Sequence, residues 1–332
     1  MRKKTGIGLI GAGWSANTIA NATSLVSNAE IKGISNHNID HARQLATKYD
    51  IPFVSDDYKE LCERDDVDFV IVSLPHFLHE KITIDAINLG KHVLVEKPFA
   101  TSISSGKKMI NVANKAGKIL GVYFQQRFSD PTMQAKEILD NGGIGKILQV
   151  QVSIFLKRDI EYYQGSPWRG TWEKEGGSAL INQAIHDIDR LYYLFKDVTK
   201  IHGFFNHLVH DIETEDNAAV AYQLANGAFG TLQVSVSIKN PIFMRTTIFG
   251  TGGALIMTPN TFTHYKNDSM VEFLDYTNIV PPYIKRYKII PHKRLIDAFT
   301  TAVRVPDYKF PINGNEGLKS LEFVEQIYKT EK

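Results

Sequence analysis

The chain opens Gly6-Ile-Gly-Leu-Ile-Gly-Ala-Gly-Trp-Ser-Ala16. A short apolar run ends in Gly11-Ala-Gly13, and a small residue, Ala16, follows three positions later. This spacing calls for a strand, a tight turn and a helix in direct succession. Gly11 permits the turn, Gly13 leaves the backbone open to a close phosphate, and Ala16 lets the helix lie near the strand. The helix start presents N–H groups and a partial positive charge to an anion. Gly11, Gly13, Trp14, Ser15 and Ala16 are therefore expected to hold a dinucleotide pyrophosphate.

The rest of the first third alternates strand and helix patterns. Strands are expected at Ile7–Ile10, Glu30–Ser35, Asp68–Leu74, His92–Val95 and Ile119–Phe124. Helices are expected from Trp14, at Asp40–Tyr49, after Ser55-Asp-Asp57, at His79–Leu89 before Gly90, and at Ser104–Ala116. Asp68–Leu74 is almost continuously apolar, as a strand covered on both faces requires. Repeated βαβ units make this an α/β fold with a doubly wound parallel sheet of the Rossmann type.

After about Gln125 the pattern changes to period two. Leu148, Val150, Val152 and Ile154 alternate with polar residues, as do Leu232, Val234, Val236 and Ile238. Asn226-Gly227 is a hairpin signal. The expectation is a second α/β domain with a large, open, mainly antiparallel sheet, its polar face solvated or covered by another subunit. The domains are placed at 1–124 and 125–332. Leu318, Leu321, Val324 and Ile327 mark a last helix, about 314–330, placed as packing back on the N-terminal domain.

A chain of 332 residues is long for a single core, which agrees with two domains. A net charge of +2 supplies no attraction for nucleic acid or an anionic membrane surface. No run of about 18 apolar residues is present to span a bilayer. Cys62 is the only cysteine, and the N-terminus has no leader pattern, so a cytoplasmic location is expected. His202, His207, His210 and Asp211 follow no metal-binding spacing, and no metal is expected.

Ligands of doubly wound sheets bind beyond the carboxyl ends of the strands. Leu74, Pro75, His76 and His79 follow one such end, and Glu96-Lys97-Pro98 follows another. A lysine there can hydrogen-bond a substrate hydroxyl and stabilise charge on its oxygen; position alone leaves a plain surface lysine equally open. Further on, Ile181, Ala184, Ile185, Ile188 and Leu191 form the apolar stripe of a helix, with Asn182 and His186 on one shared face. Histidine is suited to accepting a hydroxyl proton. Lys157-Arg158, Tyr162-Tyr163 and Trp168-Arg169 lie between the first strand of the second domain and that helix. Arg158, Tyr163, Trp168 and Arg169 either contact a sugar-like substrate or pack a loop or subunit contact.

Four signatures now stand in order: Gly-Leu-Ile-Gly-Ala-Gly-x-x-Ala, Gly90-Lys-His-Val-Leu-Val-Glu-Lys-Pro98, Trp168-Arg-Gly-Thr-Trp172, and Gly-Gly-x-x-Leu-x-Asn-Gln-x-x-His-x-x-Asp ending at Asp189. In these the chain resembles the Gfo/Idh/MocA family of NAD(P)-dependent oxidoreductases, which includes inositol and nucleotide-sugar dehydrogenases. The resemblance implies a secondary-alcohol/ketone oxidoreductase acting on a sugar, inositol or nucleotide sugar. It also implies a homodimer or homotetramer formed through the C-terminal sheet. Carried over, Lys97 is the lysine of the Glu-Lys-Pro motif and His186 the catalytic histidine. Asn182 stands where many members have aspartate; an amide can position a hydroxyl but cannot relay a proton.

NAD selection ordinarily uses an acid about 20 residues past the glycine turn. Here the second strand ends Ile34-Ser35-Asn36-His37-Asn38, without one. Asn36 is the candidate for the ribose hydroxyls and His37 for a 2′-phosphate. The expectation is use of both NAD and NADP, with a mild lean to NADP. Two other readings accompany the dehydrogenase: an NAD-dependent glycoside hydrolase of the same fold, and a non-catalytic nucleotide or sugar sensor.

Overall fold

The computed structural model describes residues 4–240, 243–267, 269–275 and 286–330. The chain divides into two units, Met1–Gln125 with Lys288–Leu318, and Gln126–Tyr287 with Lys319–Lys332.

In the first unit the strands are β1 (Thr5–Ile10), β2 (Ala29–Ser35), β3 (Val54–Ser55), β4 (Phe69–Val72), β5 (His92–Glu96) and β6 (Leu120–Tyr123). The helices between them are α1 (Trp14–Thr23), α2 (Ile39–Tyr49), α3 (Tyr58–Glu63), α4 (His79–Asn88) and α5 (Ile103–Lys115). All strand pairs are parallel, in the order β3-β2-β1-β4-β5-β6. This is the dinucleotide-binding order, reversing direction between β1 and β4. Every residue of β1, β4 and β6 is buried, because helices cover both faces. The strand expected at Asp68–Leu74 is observed at Phe69–Val72, and just before it the Asp68 carboxylate accepts the Gly6 N–H at 2.7 Å. Asp57 and Asn38 cap α3 and α2.

Residues 288–318 complete this unit's core. Within α9 (Arg286–Arg304), Phe299 packs edge-on against Phe69 with ring centroids 5.0 Å apart, and against Phe310 at 5.0 Å. Gly121 in β6 is bare because a Cβ there would lie 2.6 Å from the Phe310 ring.

The second unit contains α6 (Asp130–Asp140), β7 (Ile147–Phe155), α7 (Ile160–Gln164) and α8 (Ile185–Phe195). Strands β8 (Val198–Asn206), β9 (Asn217–Leu224), β10 (Phe229–Ser235), β11 (Phe243–Gly250), β12 (Gly253–Met257), β13 (Thr261–Lys266) and β14 (Ser269–Asp275) follow. The sheet order is β14-β13-β12-β11-β7-β10-β9-β8. Only β7 and β10 pair in parallel; the other pairs are antiparallel. Asn226-Gly227 forms the β9–β10 hairpin, with Gly227 at φ 88°. The last helix, α10 (Gly314–Lys329), closes the chain.

One sheet face is covered by helices and carries Val150, Val152, Ile154, Val220, Leu232, Val234 and Ile248, all buried. The opposite face is less polar than its alternation in sequence suggests. Phe204, Phe229, Phe243, Phe249 and Phe273 stand on it exposed, between Gln149, Gln151, Gln233 and Thr231.

Candidate active site

In the first unit, the ends of β1 and β4 meet at the point where strand order reverses. Gly11 has φ +110°, and a Cβ on it would lie 2.0 Å from the Ser73 carbonyl oxygen. Both the backbone angle and the approach of β4 therefore demand glycine there. Gly13 has an ordinary φ of −79°, and a Cβ on it would meet nothing within 4 Å. Its bareness serves no internal packing; it keeps open the space at the start of α1. No acidic residue occupies the first turn of α1, Ala16 is buried, Ser15 is half-buried, and Trp14 is 85% exposed. These features fit a dinucleotide phosphate, which Gly11, Gly13 and the first turn of α1 would hold.

Asn36 is spoken for within the fold. Its Oδ1 accepts from Ala12 N–H at 3.2 Å, and its Nδ2 donates to Asn38 O at 2.8 Å. It braces the glycine turn from the end of β2, while His37 beside it is exposed.

His79 is completely buried. Its ring lies between Pro98 O, 2.9 Å from Nδ1, and Leu74 O, 3.0 Å from Nε2. Burial pushes the imidazole down to about 4 and keeps it neutral at physiological pH. It ties the loop after β4 to the loop after β5. Leu74 and Pro75 are half-buried on the first loop, and His76 is buried with its ring 5.9 Å from that of His79. On the second loop, Lys97 is half-buried, and its backbone N–H donates to Glu96 Oε2 at 3.0 Å. Burial pushes the Glu96 carboxyl up to about 7. Below it, Tyr123 is hydrogen-bonded to His292 Nδ1 at 3.1 Å.

In the second unit, Ala179–Ala184 form a π-helical turn that runs into α8. The uniform helix expected through Asn182 and His186 thus widens at Asn182. Such insertions recur at functional sites. The expected stripe Ile181, Ala184, Ile185, Ile188 and Leu191 is buried. Asn182 is buried and held from two sides: its Nδ2 donates to Glu175 Oε1 at 2.6 Å and to Tyr162 Oη at 3.2 Å. Glu175 also accepts from Gly170 N–H at 2.5 Å, and burial pushes its carboxyl up to about 7. A second buried carboxylate, Glu215, receives the N–H groups of Ser178 and Leu180 and the Tyr328 hydroxyl. It fixes the start of the π turn.

His186 is half-buried and lines a cavity of about 130 Å³ together with Gln126, Gln183, Asp187, Arg190 and Met244. Whole ligand pockets run to about 300–1,000 Å³, so this space suits one portion of a substrate. Helix α8 is anchored by a buried two-point ion pair from Arg127 to Asp189, at 2.8 and 2.7 Å. Asp189, the last residue of the sequence signature, therefore fixes the helix that carries His186.

Tyr162, not the neighbouring Tyr163, reaches the Asn182 turn. Tyr163 is buried, bonded to Ser178 Oγ at 3.2 Å and packed against His210. Arg158, Trp168 and Arg169 gather around Tyr162, with the guanidinium carbons 5.0 and 4.0 Å from its ring centre. Among the described residues no group of three or more His, Cys, Asp or Glu side chains is arranged to hold a metal ion. His210 instead meets Asp216 at 3.0 Å and Arg158 O at 2.7 Å.

Residues 5–124 match the oxidoreductase family with an NAD-binding Rossmann fold, and residues 132–256 match the GFO/IDH/MocA C-terminal domain. The chain belongs to the Gfo/Idh/MocA family. It is 29% identical over 270 residues to D-glucoside 3-dehydrogenase of Escherichia coli, covering 80% of this chain and 72% of that one. It is 26% identical over 256 residues to myo-inositol 2-dehydrogenase of Thermotoga maritima, covering 75% and 74%. Among solved structures it resembles the WlbA dehydrogenase from Bordetella pertussis in complex with NADH and UDP-GlcNAcA. There the TM-score is 0.84 at 26% identity, covering 99% of this chain and 96% of that one. As a Gfo/Idh/MocA protein it is an NAD-binding oxidoreductase with a six-stranded parallel sheet and an eight-stranded mixed sheet. Among the described residues no helix is long and apolar enough to cross a membrane.

Sequence reasoning does not single out Arg127 or Glu175, and meets Glu215 only within Glu213-Thr-Glu-Asp216. Glu175 had a usable signal: an acid directly before Gly176-Gly177 and a helix. Arg127 lies 62 residues from its partner, and nothing local marks it.

Proposed function

We propose that this protein moves a hydride between NAD or NADP and a carbinol carbon of a sugar, inositol or nucleotide sugar. The observation that carries this is the π turn with Asn182, running into α8 with His186, in a chain whose first unit holds Gly13 bare at the start of α1. The relatives named as sugar and inositol dehydrogenases support hydride transfer over the glycoside hydrolase and the sensor.

When bound, the nicotinamide supplies the acceptor or donor of the hydride. The chain's own residues handle the hydroxyl. Lys97 orients it and stabilises negative charge on its oxygen. His186 accepts its proton in oxidation and returns it in reduction. Asn182, held by Glu175 and Tyr162, positions the substrate. Because Asn182 is an amide, the proton work rests on His186 and Lys97 alone.

The cofactor reading is dual use with a mild lean to NADP. No carboxylate stands at positions 36–38, directly after β2, to bind a ribose 2′-hydroxyl or repel a 2′-phosphate, and His37 there is exposed. A dissociation constant for NADH at least tenfold tighter than for NADPH, about 1.4 kcal/mol, overturns that lean. The protein is further read as a cytoplasmic homodimer or homotetramer that buries the phenylalanine-bearing sheet face.

The test is turnover with sugars, inositols and nucleotide sugars, following NAD(P)H absorbance, in wild type, Lys97→Met and His186→Ala. Each variant is expected to lose about 10²–10⁴-fold in kcat with NADH binding unchanged. Wild-type turnover in either variant removes that residue's role. Glycosidic cleavage without net NAD(P)H change replaces the dehydrogenase reading with the hydrolase.

A further inference from the structure

We infer that the substrate carries an oxyanion, a carboxylate or a phosphate, and that Arg158 and Arg169 bind it against Tyr162. The inference rests on the dehydrogenase reading and names the class of molecule that the same site takes.

The argument begins with charge. Arg158 and Arg169 are both half-buried, and neither has a carboxylate within ion-pair distance among the described residues. The neighbouring acid Asp159 is taken by Lys157 at 3.1 Å. Partly buried guanidinium groups ordinarily have an anionic partner. Here each donates hydrogen bonds only to neutral groups, while the charge of Arg169 is felt by the buried Glu175 carboxyl. Arg158 donates to Lys157 O at 3.2 Å and to Gln183 Oε1 at 2.8 Å, and Arg169 to Tyr162 O at 3.0 Å. The Nε atom of each is buried without any hydrogen-bond partner. A buried donor left unmet in a folded chain calls for an explanation, and a bound acceptor is one.

The second strand of the argument is donor polarity. Tyr162 Oη already accepts from Asn182 and Gln183, so its own hydrogen is left to donate. Gln183 has its carbonyl on Arg158 and its amide on Tyr162. The patch thus offers guanidinium and phenol hydrogens. A group with several lone pairs and no hydrogens is its complement, and planar guanidinium forks match carboxylate and phosphate oxygens. Stacking on the Tyr162 ring, at 5.0 and 4.0 Å, holds both cations in place before any ligand arrives.

Position supplies the third strand. Gln183 touches Arg158 and also lines the cavity that contains His186. One side chain therefore separates the cationic patch from the proposed proton acceptor. An acidic substituent on the sugar, or a phosphate esterified to it, fits that spacing. A neutral polyol leaves the arginines unmet.

The experiment measures binding by isothermal calorimetry in the presence of NADH, independently of turnover. The probes are D-glucuronate, D-glucose 6-phosphate and UDP-glucuronate, with D-glucose and myo-inositol as neutral counterparts. At least one charged probe is expected to bind at least tenfold tighter than both neutral ones. D-glucuronate against D-glucose 6-phosphate separates a carboxylate from a phosphate, while UDP-glucuronate carries both groups. Arg158→Met and Arg169→Met should each abolish that preference while leaving NADH affinity unchanged. Arg158→Lys, which keeps the charge without the fork, should restore part of it. Equal affinity for neutral and charged probes, no binding of any probe, or a preference that survives both substitutions overturns the inference. Arginine-dependent anion binding without hydride transfer refutes the dehydrogenase reading and leaves the anion site standing. Fast turnover of neutral sugars without anion preference does the reverse.

Discussion

The amide of Asn182 donates to the carboxylate of Glu175 across 2.6 Å. Glu175, seven positions earlier in the chain, keeps this carboxylate out of solvent. The proton state of Glu175 therefore bears on how firmly Asn182 is held.

The first prediction concerns that carboxyl. Burial, the largest influence, raises it from an unfolded value near 4.3 to about 7, aided by Glu215 and opposed by Arg169. Between those pH values the native state holds a proton that the unfolded state has lost. Stability from this group therefore falls as pH rises from about 4.5 to 7 and stays reduced above. Glu175→Gln removes the effect. In urea denaturation the variant should match wild type at pH 5 and exceed it at pH 8 by up to about 3 kcal/mol. Its kcat/KM at pH 8 should nonetheless drop, because glutamine cannot accept from both Gly170 and Asn182. Equal stability at both pH values, or unchanged kcat/KM, refutes this account.

The glycine turn gives a paired test. Gly11→Ala meets both a φ of +110° and the Ser73 oxygen at 2.0 Å, so it should destabilise the fold and weaken nucleotide binding together. Gly13→Ala meets no atom within 4 Å and has a φ open to any residue. It should melt within about 1 kcal/mol of wild type and yet lose at least tenfold in NADH affinity by fluorescence titration. Full affinity in folded Gly13→Ala would place the phosphates elsewhere.

Arg127 and Asp189 are 5% and 0% exposed and depend on each other. Truncating either to alanine strands a buried charge and should cost about 3–5 kcal/mol. The double variant Arg127→Met with Asp189→Leu should lose less than either single change. A double variant as damaged as the sum of the singles would show that the pair does not act as a unit.

The exposed phenylalanines bear on assembly. Phe243→Glu combined with Phe249→Glu puts two charges on the open sheet face beside Phe155, which packs on Phe243 at 4.9 Å. Sedimentation should show wild type as dimer or tetramer and the variant as monomer. A monomeric wild type, or an unaltered variant, contradicts the proposed interface.

Much of this molecule was legible in its chain. The Rossmann half announces itself because strand, turn and helix signals there are local, and tight turns demand particular residues. Gly11 is required by its backbone, and Asn226-Gly227 by its hairpin. The π turn was not legible: Ile181, Ala184, Ile185 and Ile188 suit an α-helix equally well, and the widening depends on the distant Glu215 holding its first N–H groups. His79 follows a strand end, where a cofactor contact is expected, and nothing local marks its burial under Pro98, 19 residues away. The choice of Tyr162 over Tyr163 turns on which way a one-turn helix rolls.

Phe299 and Phe310 fill the core beneath β6 from a segment nearly 200 residues downstream of that strand. During synthesis the first 125 residues leave the ribosome with every sheet strand of their unit but without this plug. The nucleotide-binding half thus starts first and finishes last, holding an apolar seam open while the whole second unit is made. Chaperone dependence and late-stage sensitivity to truncation should concentrate at this seam.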